Sequence, residues 1–211
     1  MTVIRLLSSS LGVRSEVPNQ KLAWELASTS NMDAIAEIVH NLQSNKDKNI
    51  QNDCIKVLYE IGYKKPELIA EFLPVFISLL KSKNNRHVWG AMIAISVISR
   101  IDPEKVYSNL AGIMQALDKG SVITKDAGVE ILANLASSKY LYSDSFALLM
   151  EQLKVCPAKQ LPQYAEKALK TINSENSKEF SDILNSRFEE LTSDSQKKRI
   201  TSVLKKAANQ K

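Results

Sequence analysis

The feature that most constrains this chain is an internal repeat with a step of 37 residues. Three columns of residues recur at that step over four successive units, and each column keeps its character. One column is small and two are apolar: Cys54, Ala91, Gly128, Ala165; Leu58, Ile95, Leu132, Leu169; and Ile61, Ile98, Leu135, Ile172. A step of this length holds one helix, a short loop and a second, antiparallel helix. The repeat therefore predicts a stack of helix pairs.

The segment 85–104 shows the helical pattern within one unit. Its apolar positions fall at helical spacing, namely Val88, Met92, Ile95 and Ile98. Asp102 and Pro103 then end that helix and begin the next one. We therefore expect an all-α fold, a right-handed α-solenoid of about six antiparallel helix pairs.

A solenoid needs no boundary between its units, so residues 1–211 are predicted to form a single repeat domain. The predicted units are approximately 1–30, 31–65, 66–102, 103–141, 142–175 and 176–211. In the first unit, helices are expected at residues 2–10 and 18–29.

Several residues predict where individual helices begin, end or bend. Ser30 is expected to cap the helix that follows it, and Gly62 is expected to end the helix that starts near Asp47. Pro74 is expected to kink the interior of its helix, because proline removes a backbone hydrogen bond. The last unit is predicted to begin with a capping box made by Asn176 and Glu179.

The helix pairs resemble HEAT repeats, and the chain is similar to small bacterial HEAT-repeat proteins of no assigned activity. The resemblance rests on the pair length, the proline in a first helix, and a second helix with Leu or Ile four and seven positions after a small residue. It covers nearly the whole chain as about six HEAT/armadillo-like units. The arginine usual early in the second helix is replaced here by Gln51, Val88 and Lys125.

Charge, hydropathy and cysteine usage indicate which partners and which cellular compartment to expect. The formal net charge is +5, which permits contact with nucleic acid or acidic proteins without requiring it. No stretch approaches the ~18 apolar residues of a membrane span, so no membrane partner is expected. The sequence has no Asn-x-Ser/Thr sequon and two widely separated cysteines, which favours a reducing cytoplasm.

The sequence lacks the common catalytic and metal-binding motifs. The sequence has no phosphate-binding glycine loop, no nucleophile elbow and no zinc-protease helix. With only His40 and His87, a histidine-rich metal site is excluded, and no cofactor is expected. Cys54 belongs to the small column and is predicted to be core, whereas Cys156 beside Pro157 is predicted to be an exposed loop thiol.

One pair of carboxylates keeps an enzymatic alternative open. Asp126 and Glu130 lie four residues apart on one predicted helix face. They form either a solvated acidic patch or a pair that binds a basic ligand or acts on nucleic acid. The HEAT-like alkylpurine DNA glycosylases use an aspartate with aromatic residues and arginine in their concave groove. Trp89 and Asp126 are among the groove candidates here, but they lie in successive units, and the catalytic set of that family does not match this sequence residue by residue.

Trp89 is the residue most indicative of a binding surface. It lies two positions before the small column, in register with Asn52 and Asp126, and burying those polar residues would be costly. The HEAT resemblance implies that such positions on the second helices line a concave groove. Its predicted outward residues are Lys56, Tyr59, Tyr63, Trp89, Ile93, Asp126, Glu130, Gln163 and Lys167.

Two readings of Trp89 remain open. An exposed tryptophan is a frequent anchor in protein interfaces, so Trp89→Ala is expected to abolish partner capture and leave stability nearly unchanged. The alternative is that Trp89 packs against a neighbouring unit.

The loops inside the predicted pairs carry a second candidate surface. Residues 43–49, 81–87, 118–125, 154–160 and 193–199 each contain more basic than acidic side chains. This basic edge is represented by Lys46, Lys48, Lys81, Lys83 and Arg86. It either contacts phosphates or an acidic protein, or is a solvated lysine fringe.

These observations predict a non-catalytic scaffold or adaptor that binds a protein or peptide in the groove. The bound segment is expected to bury an apolar residue at Trp89 and to carry basic charge towards Asp126 and Glu130. The alternative function is nucleic-acid binding through the basic edge or the groove.

Overall fold

The computed structural model describes residues 2–210, and these residues form twelve α-helices joined by short connections. They are α1 Val17–Thr29, α2 Met32–Ser44, α3 Lys48–Lys64, α4 Leu73–Leu79, α5 Asn85–Ile98, α6 Pro103–Tyr107, α7 Leu110–Lys119, α8 Val122–Leu135, α9 Tyr142–Val155, α10 Leu161–Ala168, α11 Ser177–Ser186 and α12 Asp194–Ala208. Short 3-10 helices lie at Ile4–Leu6, Pro66–Leu68, Ala70–Phe72, Leu169–Thr171 and Phe188–Glu190. No β-strand occurs between residues 2 and 210, and the all-α prediction is confirmed.

The chain divides into two compact units, Met1–Gly128 (unit 1) and Val129–Lys211 (unit 2). In unit 1, α3 lies between α1 and α5, while α2 packs on α3 and α4 packs on α5. In unit 2, α10 contacts α12, α9 contacts α11, and each pair packs against the other. The helices of each unit are therefore arranged in layers. That residues 1–211 behave as one domain stays a prediction.

The small-residue column lies where helices approach most closely. Cys54 and Ala91 are fully buried. A Cβ atom added to Gly128 of α8 would lie 2.4 Å from Cδ1 of Leu117 in α7, a distance that real side chains do not tolerate. The prediction that Gly128 packs closely against a neighbouring helix is confirmed.

Polar side chains cap the starts of α3 and α5, because the first backbone N–H groups of a helix lack partners within it. The Asp47 carboxylate accepts from the N–H of Asn49 at the start of α3. The Asn84 side chain does the same for α5, where it accepts from the N–H of Arg86. The Asn84 side chain also donates to Oδ1 of Asn52 in α3 at 2.9 Å, so it links the first turns of the two helices.

Two of the predicted helix ends are wrong. Ser30 adopts a left-handed conformation with φ 51° that closes α1, and Asn31 caps α2 instead by accepting from the N–H of Ala34. Helix α3 continues past Gly62 to Lys64. Gly62 is needed for packing, because its Cβ would lie 2.6 Å from side-chain atoms of Ile69 and Val97.

The start of the chain and the proline helix also differ from the prediction. Between residues 2 and 10 the only helical segment is the 3-10 helix Ile4–Leu6. Pro74 lies in the first turn of α4 rather than its interior, so it starts a helix instead of kinking one. Short helical segments precede α4, and α6 precedes α7. Repeats with three helical pieces of this kind are typical of the armadillo form.

The predicted capping box at Asn176 is wrong, and another is present. The Asn176 side chain accepts from the N–H of Asn173 and donates to the Tyr142 hydroxyl, so it ties together a turn instead of capping α11. The capping box of the last unit is made by Ser193 and Gln196 at the start of α12. Within residues 2–210, every helix is too short or too polar to cross a bilayer.

Candidate functional site

Three aromatic side chains form a continuous row across α3 and α5 in unit 1. The ring centroid of Tyr59 lies 6.0 Å from that of Tyr63, one turn along α3, and 5.9 Å from that of Trp89 in α5. Gly90 permits this approach, because a Cβ there would lie 2.6 Å from the Ile55 side chain of α3. We call Tyr63, Tyr59 and Trp89 the aromatic row.

The members of the aromatic row differ in exposure. Tyr63 is 51% exposed and Trp89 is half-buried. The prediction that Tyr59 points outward is wrong, because it is only 5% exposed beneath its neighbours. Trp89 was predicted either to be exposed or to pack against a neighbouring unit, and the structure shows that it packs on Tyr59 while keeping part of its surface accessible.

Lys56 lies beside the aromatic row and is held by two carboxylates. Its Nζ is 2.6 Å from Glu60 and 3.0 Å from Glu16, and it lies 4.9 Å from the centroid of the Tyr59 ring. Burial alone would lower the pKa of the Lys56 ammonium. Its hydrogen bonds with Glu60, Tyr59 and Glu16 outweigh burial and raise that pKa above its ordinary value. Lys56 is therefore a fixed, neutralised cation.

The remaining groove residues of unit 1 contribute less. Ile93, one turn after Trp89 on α5, is half-buried, and so is Asp126 on α8. The apolar Ile93 side chain extends the surface beside Trp89 along the helix. Of the predicted groove residues in unit 1, Tyr63, Tyr59 and Trp89 are the ones that the structure joins through ring contacts.

In unit 2 the predicted groove residues form a charge network. The Glu130 carboxylate lies 3.4 Å from Nζ of Lys167 and 3.1 Å from Nζ of Lys170. Gln163 on α10 is half-buried. Glu130 is thus contacted by two lysines, and a basic ligand would have to compete with them. This weakens the premise that Glu130 attracts a basic segment.

The five residues of the predicted basic edge are all exposed: Lys46, Lys48, Lys81, Lys83 and Arg86. Arg86 forms an ion pair with Glu16 at 3.3 Å. Within residues 2–210, none of the four lysines lies within ion-pair distance of a carboxylate. Their positive charge is therefore uncompensated.

Two residues with unusual surroundings were missed by sequence reasoning. Trp24 on α1 is 61% exposed, and it could have been found by the test applied to Trp89, since it falls beside the buried positions Leu22 and Leu26. His87 in the first turn of α5 is only 6% exposed, and its Nε2 has no hydrogen-bond partner. Burial lowers the pKa of His87. No sequence pattern indicated this burial.

The thiols are poorly suited to nucleophilic chemistry. Burial, with Asp53 and Glu37 adding to it, raises the pKa of Cys54 to about 12. The prediction that Cys156 is exposed is wrong: it is 5% exposed, with Nη1 of Arg187 3.4 Å from its Sγ. Burial raises the pKa of Cys156 although Arg187 opposes the shift. No cluster of three or more His, Cys, Asp or Glu side chains suited to a metal occurs among residues 2–210.

Neither a protein-family model nor a curated protein matches this chain. Solved structures of similar fold do exist. A designed armadillo repeat protein in complex with the peptide (KR)4 has a TM-score of 0.66 at 16% identity, over 90% of this chain and 92% of that one. An engineered protein has a TM-score of 0.64 at 18% identity, over 99% and 97%. A computationally designed armadillo repeat protein for modular peptide recognition has a TM-score of 0.62 at 16% identity, over 90% and 92%.

These likenesses confirm the HEAT/armadillo-like fold that the 37-residue repeat predicted. At such low identity they show the fold alone, so the chemistry of the surface must come from this chain's own residues.

Proposed function

We propose that this chain is a non-catalytic scaffold that binds a peptide segment of another protein on the α3–α5 face of unit 1. The observation that carries the proposal is the aromatic row, which joins two adjacent helices and leaves Tyr63 and part of Trp89 accessible. Tyrosine and tryptophan supply large contact areas at a small cost in conformational entropy, and they dominate the binding energy of many protein interfaces.

The chemistry of this face favours an apolar anchor on the ligand. Tyr59 is buried and supports the two accessible rings from below, so the surface is fixed before a ligand arrives. Lys56 is held by Glu16 and Glu60 and offers little net charge. The bound segment therefore places an aromatic or aliphatic side chain against Tyr63 and Trp89.

The solved structures of similar fold support a peptide ligand. One is a designed protein in complex with the peptide (KR)4, and another was designed for modular peptide recognition. The anchor proposed for the present chain is not a basic peptide of that kind, because the carboxylates beside the aromatic row, Glu16 and Glu60, are already engaged by Lys56.

The proposal can be tested with peptides selected for binding to the whole protein. Random peptides displayed on phage would be selected against the chain, and the affinity of the best binder would be measured by isothermal titration calorimetry. Tyr63→Ala should weaken that binding at least about tenfold, which corresponds to about 1.4 kcal/mol. Tyr140→Ala is the matched control, because Tyr140 is 88% exposed and lies in unit 2; it should leave the affinity unchanged.

A second readout locates the ligand independently of affinity. The chain has two tryptophans, so Trp24→Phe leaves Trp89 as the only source of tryptophan emission. Binding on the aromatic row should shift or quench that emission. Equal effects of Tyr63→Ala and Tyr140→Ala, together with unchanged Trp89 emission, would contradict the proposal.

A further inference from the structure

A cavity of about 630 Å³ opens in unit 1 between the end of α4, the start of α5 and α7. Its half-buried apolar residues include Ile77, Leu80 and Val88, and exposed lysines stand around it: Lys81, Lys83 and Lys119. No aspartate or glutamate lines this cavity. It therefore combines an apolar floor with a rim whose charged side chains are all positive.

A second cavity, of about 840 Å³, lies on the other side of the turn between α4 and α5. Ser82 and Lys83 line both cavities, and Lys48 adds a further positive charge to the second. Its polar lining is rich in side-chain amides: Gln43, Asn49, Gln51, Asn52 and Asn84. It also contains no carboxylate. The two cavities thus form one positively charged surface that is continuous across the α4–α5 turn.

The lysines of this surface are not neutralised by the protein itself. Among residues 2–210, no carboxylate lies within ion-pair distance of Lys48, Lys81, Lys83 or Lys119. This contrasts with Lys56, which two carboxylates hold. Uncompensated charge beside apolar surface is complementary to a ligand that carries both acidic and apolar groups.

We propose that these two cavities, which we call the lysine surface, form a docking surface for an acidic segment of a partner protein. The segment places an apolar side chain on the floor formed by Ile77, Leu80 and Val88, and its carboxylates lie near the surrounding lysines. Amide side chains can both donate to and accept from a peptide backbone, which suits an extended segment that continues into the second cavity. This inference does not depend on the aromatic row.

The lining favours a protein segment over nucleic acid. No phenylalanine, tyrosine, tryptophan or arginine lines either cavity. Proteins that bind single strands combine positive charge with aromatic or arginine side chains on which bases stack. The apolar floor would leave a phosphate backbone without partners, whereas it matches a leucine side chain.

The test uses the full chain and three fluorescein-labelled probes in fluorescence anisotropy at physiological salt. The probes are a synthetic peptide of Glu and Leu residues, a peptide of the same length made of Glu and Ser, and a single-stranded oligothymidine. We expect the Glu–Leu peptide to bind more tightly than the other two. Tighter binding of the oligonucleotide would overturn the proposal, and so would equal binding of the two peptides.

Charge variants separate a local surface from general electrostatic attraction. Replacing Lys81, Lys83 and Lys119 together by Ser should weaken binding of the Glu–Leu peptide at least about tenfold. The matched control replaces Lys178, Lys198 and Lys205 by Ser, which changes the net charge equally at exposed positions of unit 2. An equal loss of affinity in the two triple variants would contradict the proposal.

Gly112 allows the first cavity to be filled without changing charge. It lines the cavity on α7, and a Cβ added there would meet nothing within 4 Å. Gly112→Leu should therefore reduce binding of the Glu–Leu peptide, and Gly112→Ala should have an intermediate effect. Both variants should fold, because leucine and alanine form helices more readily than glycine. Unchanged binding in Gly112→Leu would place the ligand elsewhere. Tyr63→Ala should not affect this peptide, so the two proposals fail independently.

Discussion

Rings connect α3 to α5 in unit 1, whereas charges connect α10 to α12 in unit 2. The Tyr59 ring lies 5.9 Å from the Trp89 ring across the first pair of helices. Across the second pair, the Arg199 guanidinium donates to both oxygens of Glu166, with each N···O distance 2.7 Å. Both contacts join neighbouring helices, but they leave different surfaces behind.

In the bidentate ion pair of unit 2, the guanidinium of Arg199 and the carboxylate of Glu166 satisfy each other. The hydrogen bond from Arg199 also lowers the pKa of Glu166. The aromatic contact of unit 1 leaves about half of Tyr63 and part of Trp89 accessible. Apolar surface that stays accessible beside a fixed support can anchor a ligand. One repeat architecture can therefore pair its polar surface groups in one unit and leave aromatic surface accessible in the other.

The two units also differ in the small residues at which their helices pack. All six glycines lie in unit 1, and Gly90 lets α5 reach α3 so that Trp89 can pack on Tyr59. Unit 2 instead uses small alanines such as Ala165 and Ala168, both fully buried. Close approach through glycine is therefore part of what positions the aromatic row.

The largest effect is expected from a substitution that blocks a glycine contact of unit 1. Gly128→Leu should lower the free energy of unfolding by about 3 kcal/mol, because its side chain collides with Leu117. Urea denaturation monitored by circular dichroism measures this change. Gly112→Leu is the matched control and should cost nothing, since a Cβ there meets open space. A neutral Gly128→Leu would show that this contact does not limit the packing of α7 and α8.

The second prediction concerns the contact between Trp89 and Tyr59 in the aromatic row. Trp89→Ala should lower the free energy of unfolding by about 2 kcal/mol, because Trp89 is half-buried and packs on Tyr59. This replaces the sequence-based expectation that stability would be nearly unchanged. Trp24→Ala, at a position 61% exposed, should cost less than about 0.5 kcal/mol. Equal losses in the two variants would remove the distinction between a packed and a free tryptophan.

A smaller effect is expected in the charge network of unit 2. Glu130→Gln should lower the free energy of unfolding by about 1 kcal/mol, because Lys167 and Lys170 then lose their shared carboxylate. Glu166→Gln removes the more exposed pair with Arg199 and should cost about half as much. Both would be measured by urea denaturation at low salt. A gain of stability in Glu130→Gln would show that the network does not stabilise unit 2.

The smallest effect concerns pH and His87 in unit 1. Burial lowers the pKa of His87 in the folded chain, so the unfolded chain takes up the proton first. Stability should therefore be complete above the ordinary histidine range and fall as the pH drops from about 7.5 towards the lowered pKa. His87→Leu should flatten this decline in thermal denaturation. His40→Leu changes an exposed position and should leave the decline as it is. If His87→Leu also leaves the decline unchanged, other groups cause it.

The sequence predicted the helices of this fold well because their packing repeats. The small column at Cys54, Ala91 and Gly128 marks real helix contacts, and the recurrence of one pattern at a fixed step is visible without coordinates. Helix ends were predicted less well, since Gly62 serves packing and Asn176 serves a turn. A residue type alone does not show which of its possible roles the tertiary contacts select.

The candidate site was predicted only in outline. The register of Trp89 pointed to the correct helix face, but the burial of Tyr59 depends on a ring from another repeat. The ion pairs of Glu130 likewise depend on residues of other elements, namely Lys167 of α10 and Lys170 of the 3-10 helix that follows it. Contacts between elements far apart in sequence cannot be read from the periodicity within one element.

We expect the α3–α5 face of unit 1, and not the α10–α12 face of unit 2, to receive the peptide. Hydrogen–deuterium exchange of the full chain, with and without the peptide selected by phage display, tests it most directly. We predict slower exchange in residues 56–64 and 86–94 on binding, and unchanged exchange in α10 and α12. Protection confined to α10 and α12, with none in α3 and α5, would contradict the account.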